Sequence, residues 1–157
     1  MVRRAARNLV DAGLEPIVVV ISDDARFAAA LAGLPVLTVT NPTPEQGISR
    51  SIATGVGSLP DTSEAALIAV GDQPHLTAEG IATLVRAFSP GSIVVPRYGD
   101  HRGNPAIFDR RFFPELLLLV GDRGGQQVIA AHHEAVIEVS LPVAMGEDVD
   151  RPEEWPS

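Results

Sequence analysis

Ala65-Ala66-Leu67-Ile68-Ala69-Val70-Gly71-Asp72-Gln73-Pro74 is the stretch that decides the fold class. An apolar run of strand length stops at a Gly. A lone carboxylate follows at once, and Pro74 cannot donate to a ladder, so the strand ends here. A continuous apolar run is the pattern of a strand covered on both faces, as in a parallel sheet flanked by helices. In such open sheets ligands bind beyond the carboxyl ends of the strands. Asp72 stands at that place, where a hard divalent cation is held by oxygen ligands. The competing reading makes Asp72 a turn residue ahead of a helix that starts near Thr77, and the segment alone supports both equally.

Outward from this stretch, strands and helices alternate. Residues 16–22 (PIVVVIS) and 35–40 (PVLTVT) read as strands, as do 92–96 (SIVVP) and 135–141 (AVIEVSL). Helical spacing or composition marks 2–13, 24–32, 49–58, 77–88, 112–120 and 126–133. Residues 105–108 form a short extended piece, and 97–104 a charged loop. The alternation predicts an α/β fold: a three-layer α/β/α sandwich around a mostly parallel sheet, in one domain over residues 1–157.

Composition narrows the partners. The chain has 157 residues, 45% apolar, enough for one real core. No apolar run reaches the length of a membrane span, and the first residues do not read as a signal peptide. Cys is absent, which excludes disulfides and thiolate metal sites and suits a cytoplasmic protein. A net charge of −8 disfavours a nucleic-acid backbone but leaves room for a nucleotide, since a divalent metal offsets phosphate charge locally. All twelve basic residues are Arg.

Four polar segments follow strands. Segment 41–52 (NPTPEQGISRSI) leads into a helix start; Gly47 allows close backbone approach, and Ser49 and Ser51 offer hydroxyls to a base or phosphate. By itself the motif is weak, and an ordinary loop with a Ser cap is the reading it favours. Segment 97–105 (RYGDHRGNP) carries Arg97, His101 and Arg102 as anion contacts, or is a solvated hairpin tip. Segment 121–124 (GDRG) fits a helix stop followed by an Asp cap, or a ligand loop. In 147–154 (EDVDRPEE), Asp148 and Asp150 alternate, so only one of them can face a metal together with Asp72; a solvated acidic tail is the competing reading. His132 and His133 read as surface residues, and Trp155 as an anchor for the tail.

Taken together and in order, Asn41 with Gly47…Ser51-Ile52, Gly71-Asp72-Gln73-Pro74, Gly103-Asn104-Pro105 with Gly121-Asp122-Arg123-Gly124, and Asp148…Pro152-Glu153 resemble the molybdenum cofactor cytidylyltransferases and their molybdopterin-dinucleotide relatives. The resemblance implies a Rossmann-like nucleotidyltransferase domain. It implies transfer of a nucleoside monophosphate, CMP from CTP, onto the phosphate of a molybdopterin-type acceptor, releasing pyrophosphate with Mg²⁺ as cofactor. Asp72 and Asp148 would be catalytic metal ligands, with Asp150 the alternative to Asp148. Asn41, Gly47, Ser49, Ser51, Gly71, Gln73 and Pro74 would lie on the nucleotide side. Arg102, Gly103, Asn104, Pro105, Gly121, Asp122 and Arg123 would lie on the acceptor side. A molybdoenzyme or its chaperone would be the further partner.

The chain departs from the family at Asn104, where His is common, and at Arg50, Arg151 and Glu154. The family's opening strand and Gly-rich triphosphate loop, which ends in a Lys, have no counterpart, and the chain contains no Lys. The expectation is a domain that lacks its first strand and is impaired in turnover. A guanylyl- or sugar-nucleotidyltransferase of the same fold, or a non-catalytic pterin- or partner-binding domain, are the alternatives.

Overall fold

The computed structural model describes residues 1–148; Asp150 and Trp155 lie outside the described residues. The elements run α1 (Val2–Asp11), β1 (Val18–Ile21), α2 (Ala25–Ala30), β2 (Leu37–Thr40), α3 (Ile48–Gly57), β3 (Ala65–Ile68) and α4 (Ala78–Ala87). They continue with β4 (Ile93–Tyr98), β5 (His101–Arg102), β6 (Ala106–Asp109), α5 (Phe113–Leu117), α6 (Gln126–Ala131) and β7 (Val136–Leu141). The expected α/β alternation is present.

The ladders mix both directions. β1 pairs with β2 in parallel, and β4 with β7 in parallel. β6 runs antiparallel between β3 and β4, and β5 folds back on the end of β4. Short connections between β4, β5 and β6 dictate this, because parallel pairing needs a long crossover. The piece read from sequence as a short extension at 105–108 is thus an interior strand. Among the described residues β1 and β3 share no ladder, so the strands fall into two sheets.

Two boundaries differ from the expected ones for physical reasons. β3 stops at Ile68 rather than continuing to 71. Its last partner is Ala106, and the next residue along β6 is Pro105, which has no N–H to donate. β4 continues past Pro96 to Tyr98, because β7 supplies partners to its end.

The core sits around β4 and β6. Ile93, Val95, Ala106 and Phe108 point to one face, where Ile52 and Val56 of α3, Leu116 of α5 and Val128 of α6 cover them. Val94, Tyr98 and Ile107 point to the other face against Leu84 of α4. The period of two along each strand therefore produces two apolar layers from one sheet. α1 is fastened at two points. Arg3 donates to the carbonyl of Ala30, the last residue of α2, at 3.0 Å and to that of Ala32 just beyond it at 2.7 Å. Asn8 donates to the Leu76 carbonyl at 2.7 Å, which fixes the segment that carries Asp72.

Candidate active site

Asp72 lies four residues beyond β3. Its Oδ1 is buried and has no hydrogen-bond partner. A buried carboxylate oxygen without a donor is costly unless a cation or donor arrives, so this atom is suited to a metal ion. Gln73 and Pro74 beside it are buried. The segment is closed by Thr77, whose hydroxyl accepts from the Gly80 N–H at 3.0 Å and caps α4.

The loop from 41 to 51 is built inward. Asn41 is 3% exposed. Its side-chain oxygen accepts from the Thr43 N–H at 2.9 Å, and its amide donates to the Ser51 hydroxyl at 3.0 Å. These two residues therefore hold the shape of the loop. Ser49 is fully buried and its hydroxyl has no partner. Gly47 has φ +91°, a conformation reserved for Gly, and a Cβ there would stand 2.8 Å from the Gly121 carbonyl oxygen. The Asp122 carboxylate packs on the same spot, at the start of α3, which has no side-chain cap of its own. A negative charge at that end of a helix is favourable. The Ser49 N–H donates to the Gly121 carbonyl at 3.2 Å. Asp122 therefore does not cap the helix that follows it, α6, whose cap position is Gly125. Segments 41–51 and 121–124, distant in sequence, form one contact.

On the third side, β4 and β5 carry Arg97 and Arg102 to Glu138 of β7. Arg97 Nη1 approaches Glu138 Oε2 at 3.3 Å, and Arg102 Nε donates to Glu138 Oε1 at 2.7 Å. The hydrogen bond from Arg102, ahead of other charge effects, holds the Glu138 carboxyl below its usual range. Asn104 is exposed and Pro105 buried. The Asn104 carbonyl accepts from the Tyr98 hydroxyl at 2.5 Å. Burial, then the charge of Asp148, push the Tyr98 hydroxyl up to about 12, against a hydrogen bond from the Gln73 side chain. Asp148 thus lies within electrostatic reach of the Tyr98 hydroxyl. Gly121, Asp122 and Arg123 are exposed.

Tyr98 carries no site signal in the sequence, where Pro96 marks the expected end of the strand. The signal for its burial is the alternation Val94, Pro96, Tyr98, which continues the buried face for one more step.

The MobA-like NTP transferase domain family matches residues 1–136. The chain belongs to this family. Among solved structures, this MobA-like domain is similar to Rv0371c of Mycobacterium tuberculosis H37Rv. The TM-score is 0.80 at 23% identity, covering 94% of this chain and 77% of that one. The manganese complex of Rv0371c gives 0.77 at 22% identity, covering 96% and 82%. A nucleotidyl transferase from Methanothermobacter gives 0.77 at 18% identity, covering 92% and 72%. The 4-diphosphocytidyl-2C-methyl-D-erythritol synthase of Anaerococcus prevotii gives 0.75 at 15% identity, covering 96% and 82%. At these identities the likeness establishes a shared nucleotidyltransferase fold. No curated protein matches the sequence. Among the described residues of the MobA-like domain, no group of three or more acidic or His side chains forms a ready metal cage. No helix there is long and apolar enough to cross a membrane.

Proposed function

We propose that this chain transfers a nucleoside monophosphate from an NTP, with CTP preferred, onto the terminal phosphate of a molybdopterin-type acceptor, releasing pyrophosphate. The observation that carries the reading is the buried, unpartnered Oδ1 of Asp72, beyond the carboxyl end of β3 in a MobA-like NTP transferase domain. Asp72, with Asp148 or with Asp150, would hold Mg²⁺. When bound, such an ion neutralises phosphate charge and stabilises the departing pyrophosphate. Two structural relatives agree with these ligands: one is named for a diphosphocytidyl product, and one was crystallised with manganese.

The chain's own residues bind and orient. Gly71, Gln73 and Pro74 shape the rim around Asp72. Asn41, Gly47, Ser49 and Ser51 would lie on the nucleotide side, and the Asp122 carboxylate packed on Gly47 would move aside for a phosphate to reach the start of α3. Arg102, Gly103, Asn104 and Pro105 would form the acceptor side with Gly121, Asp122 and Arg123. Their guanidinium groups and backbone N–H groups suit a phosphorylated, polar molecule. No covalent nucleophile is required, because positioning and charge stabilisation carry phosphoryl-type transfer. The cytoplasm is the compartment proposed, and a molybdoenzyme or its chaperone is the recipient of the product.

The test is pyrophosphate release from CTP, GTP and ATP with molybdopterin and Mg²⁺, paired with thermal unfolding in each nucleotide. CTP at a hundredfold excess over its Kd should stabilise the fold by about 2.7 kcal/mol. Asp72→Asn should lower release by about 100-fold or more, the scale of losing one charge-stabilising group. Preference for GTP turns the reading to guanylyl transfer. Failure of all three nucleotides to stabilise the protein overturns it.

A further inference from the structure

Tyr98 does more than fill the core. It is 1% exposed and ends β4, where its backbone pairs with His101 on one side and Leu141 on the other. Two ladders therefore fix its backbone. Its hydroxyl donates to the Asn104 carbonyl at 2.5 Å. Two glycines from different segments lie on the ring. A Cβ at Gly103 would stand 2.8 Å from ring carbon Cε2, and one at Gly146 would overlap the ring itself. A core filler would need none of this. A Phe would occupy the same space, and neither loop would have to be bare of a side chain at its point of contact.

The chemistry of the loop explains why a hydroxyl is placed here. Pro105 has no N–H, so its peptide link offers only the Asn104 carbonyl for attachment. Tyr98 supplies the donor. The tail leading to Asp148 rests on the ring through Gly146. Two segments meet on one side chain, and each carries residues of the candidate site.

We propose that Tyr98 is a positioning residue. Its hydroxyl and ring clamp the Gly103–Pro105 segment and the Gly146–Asp148 segment in one arrangement. The clamp holds the metal-side carboxylate of Asp148 and the acceptor loop in register. Its effect on catalysis rests on the function proposed above, whereas its effect on the two segments does not.

Tyr98→Phe in the whole 157-residue chain removes the hydroxyl and keeps the ring. Amide exchange of Gly103, Asn104 and residues 144–148 should quicken by about 3- to 10-fold, the scale of one lost buried hydrogen bond. Exchange in Ile93–Val95 and Ile107–Asp109 should stay unchanged. The Kd for Mn²⁺, read from the free-ion EPR signal, should rise by a similar factor. The KM for molybdopterin should rise while that for CTP holds. Gly146→Ala keeps the hydroxyl but pushes the tail off the ring. It should loosen 144–148 and weaken Mn²⁺ while leaving Gly103 and Asn104 protected. Exchange in both segments unchanged by Tyr98→Phe, or quickened equally throughout β4 and β6, overturns the clamp. A wild-type chain that binds no Mn²⁺ overturns the catalytic part, and the exchange pattern then decides the clamp alone.

Discussion

β1 and β4 begin from almost the same sequence and end in opposite surroundings. Val18–Ile21 and Ile93–Val95 are both runs of β-branched apolar residues. Ile93 and Val94 are fully buried and Val95 is 1% exposed, whereas every residue of β1 stays partly exposed. The difference lies in the neighbours. β4 has β6 on one edge and β7 on the other, with an apolar layer over each face. β1 has β2 alone, and Leu37 of β2 is 53% exposed. An apolar β-branched run thus specifies a strand, while burial is conferred by what packs on it. The consequence for the site is unequal support: Asn41 and the Gly47 loop hang from the β1–β2 half, and Tyr98 and Asn104 from the β4 half.

The largest effect expected from this contrast is a pair of truncations. Ile93→Ala should cost about 2–5 kcal/mol, the range for a buried large-to-small change. Ile21→Ala, a partly exposed position, should cost less than half as much. Equal losses in urea unfolding would break the comparison. Next in size, Gly47→Ala forces a Cβ into left-handed backbone and against Gly121 and Asp122. It should destabilise the chain by about 1–3 kcal/mol. Its enhanced amide exchange should centre on α3 and residues 121–124, and an effect spread evenly over β4 would contradict the contact described here.

The smallest effect concerns acid. Asp24 caps α2, just beyond β1, accepting from the Arg26 N–H at 2.9 Å and pairing with its guanidinium. The Arg26 side chain, then its backbone N–H, pull the Asp24 carboxyl down to about 2. A carboxyl lowered in the folded state supports that state at pH values above its ordinary pKa near 3.8 and loses that support as pH falls through about 2. Amide exchange in α2 should therefore rise, relative to β4, between these values. Asp24→Asn keeps a cap but carries no charge, and should remove the pH dependence. An unchanged profile would show that the cap is indifferent to charge.

The elements whose period spoke for itself were legible in the sequence. α4 with its Thr77 cap, α3, β4 and the break after β3 all follow from apolar spacing and from Gly, Pro and Thr at fixed places. β6 was not, because four residues, Ala-Ile-Phe-Asp, are too few to display a period, and their central place comes from pairing on both sides. The site divides in the same way. Asp72 stood out because a lone carboxylate after a strand is a local signal. Tyr98, Glu138 and the meeting of Gly47 with Asp122 are contacts between distant segments, 41 residues apart for Arg97 and Glu138 and further for Gly47 and Asp122. No local pattern encodes them.

The one-sided pairing of β1 also bears on how solutions of this chain behave. Among the described residues its second edge meets no strand, and its side chains are apolar and half-covered. Bare backbone along such a strand is a template for another copy. The net charge of −8 keeps copies apart at low salt. At about 1 M salt, where the screening length shrinks to about 3 Å, that repulsion is lost. Concentrated stocks should then turn cloudy at high salt well before they do at low salt, the reverse of ordinary salting-in.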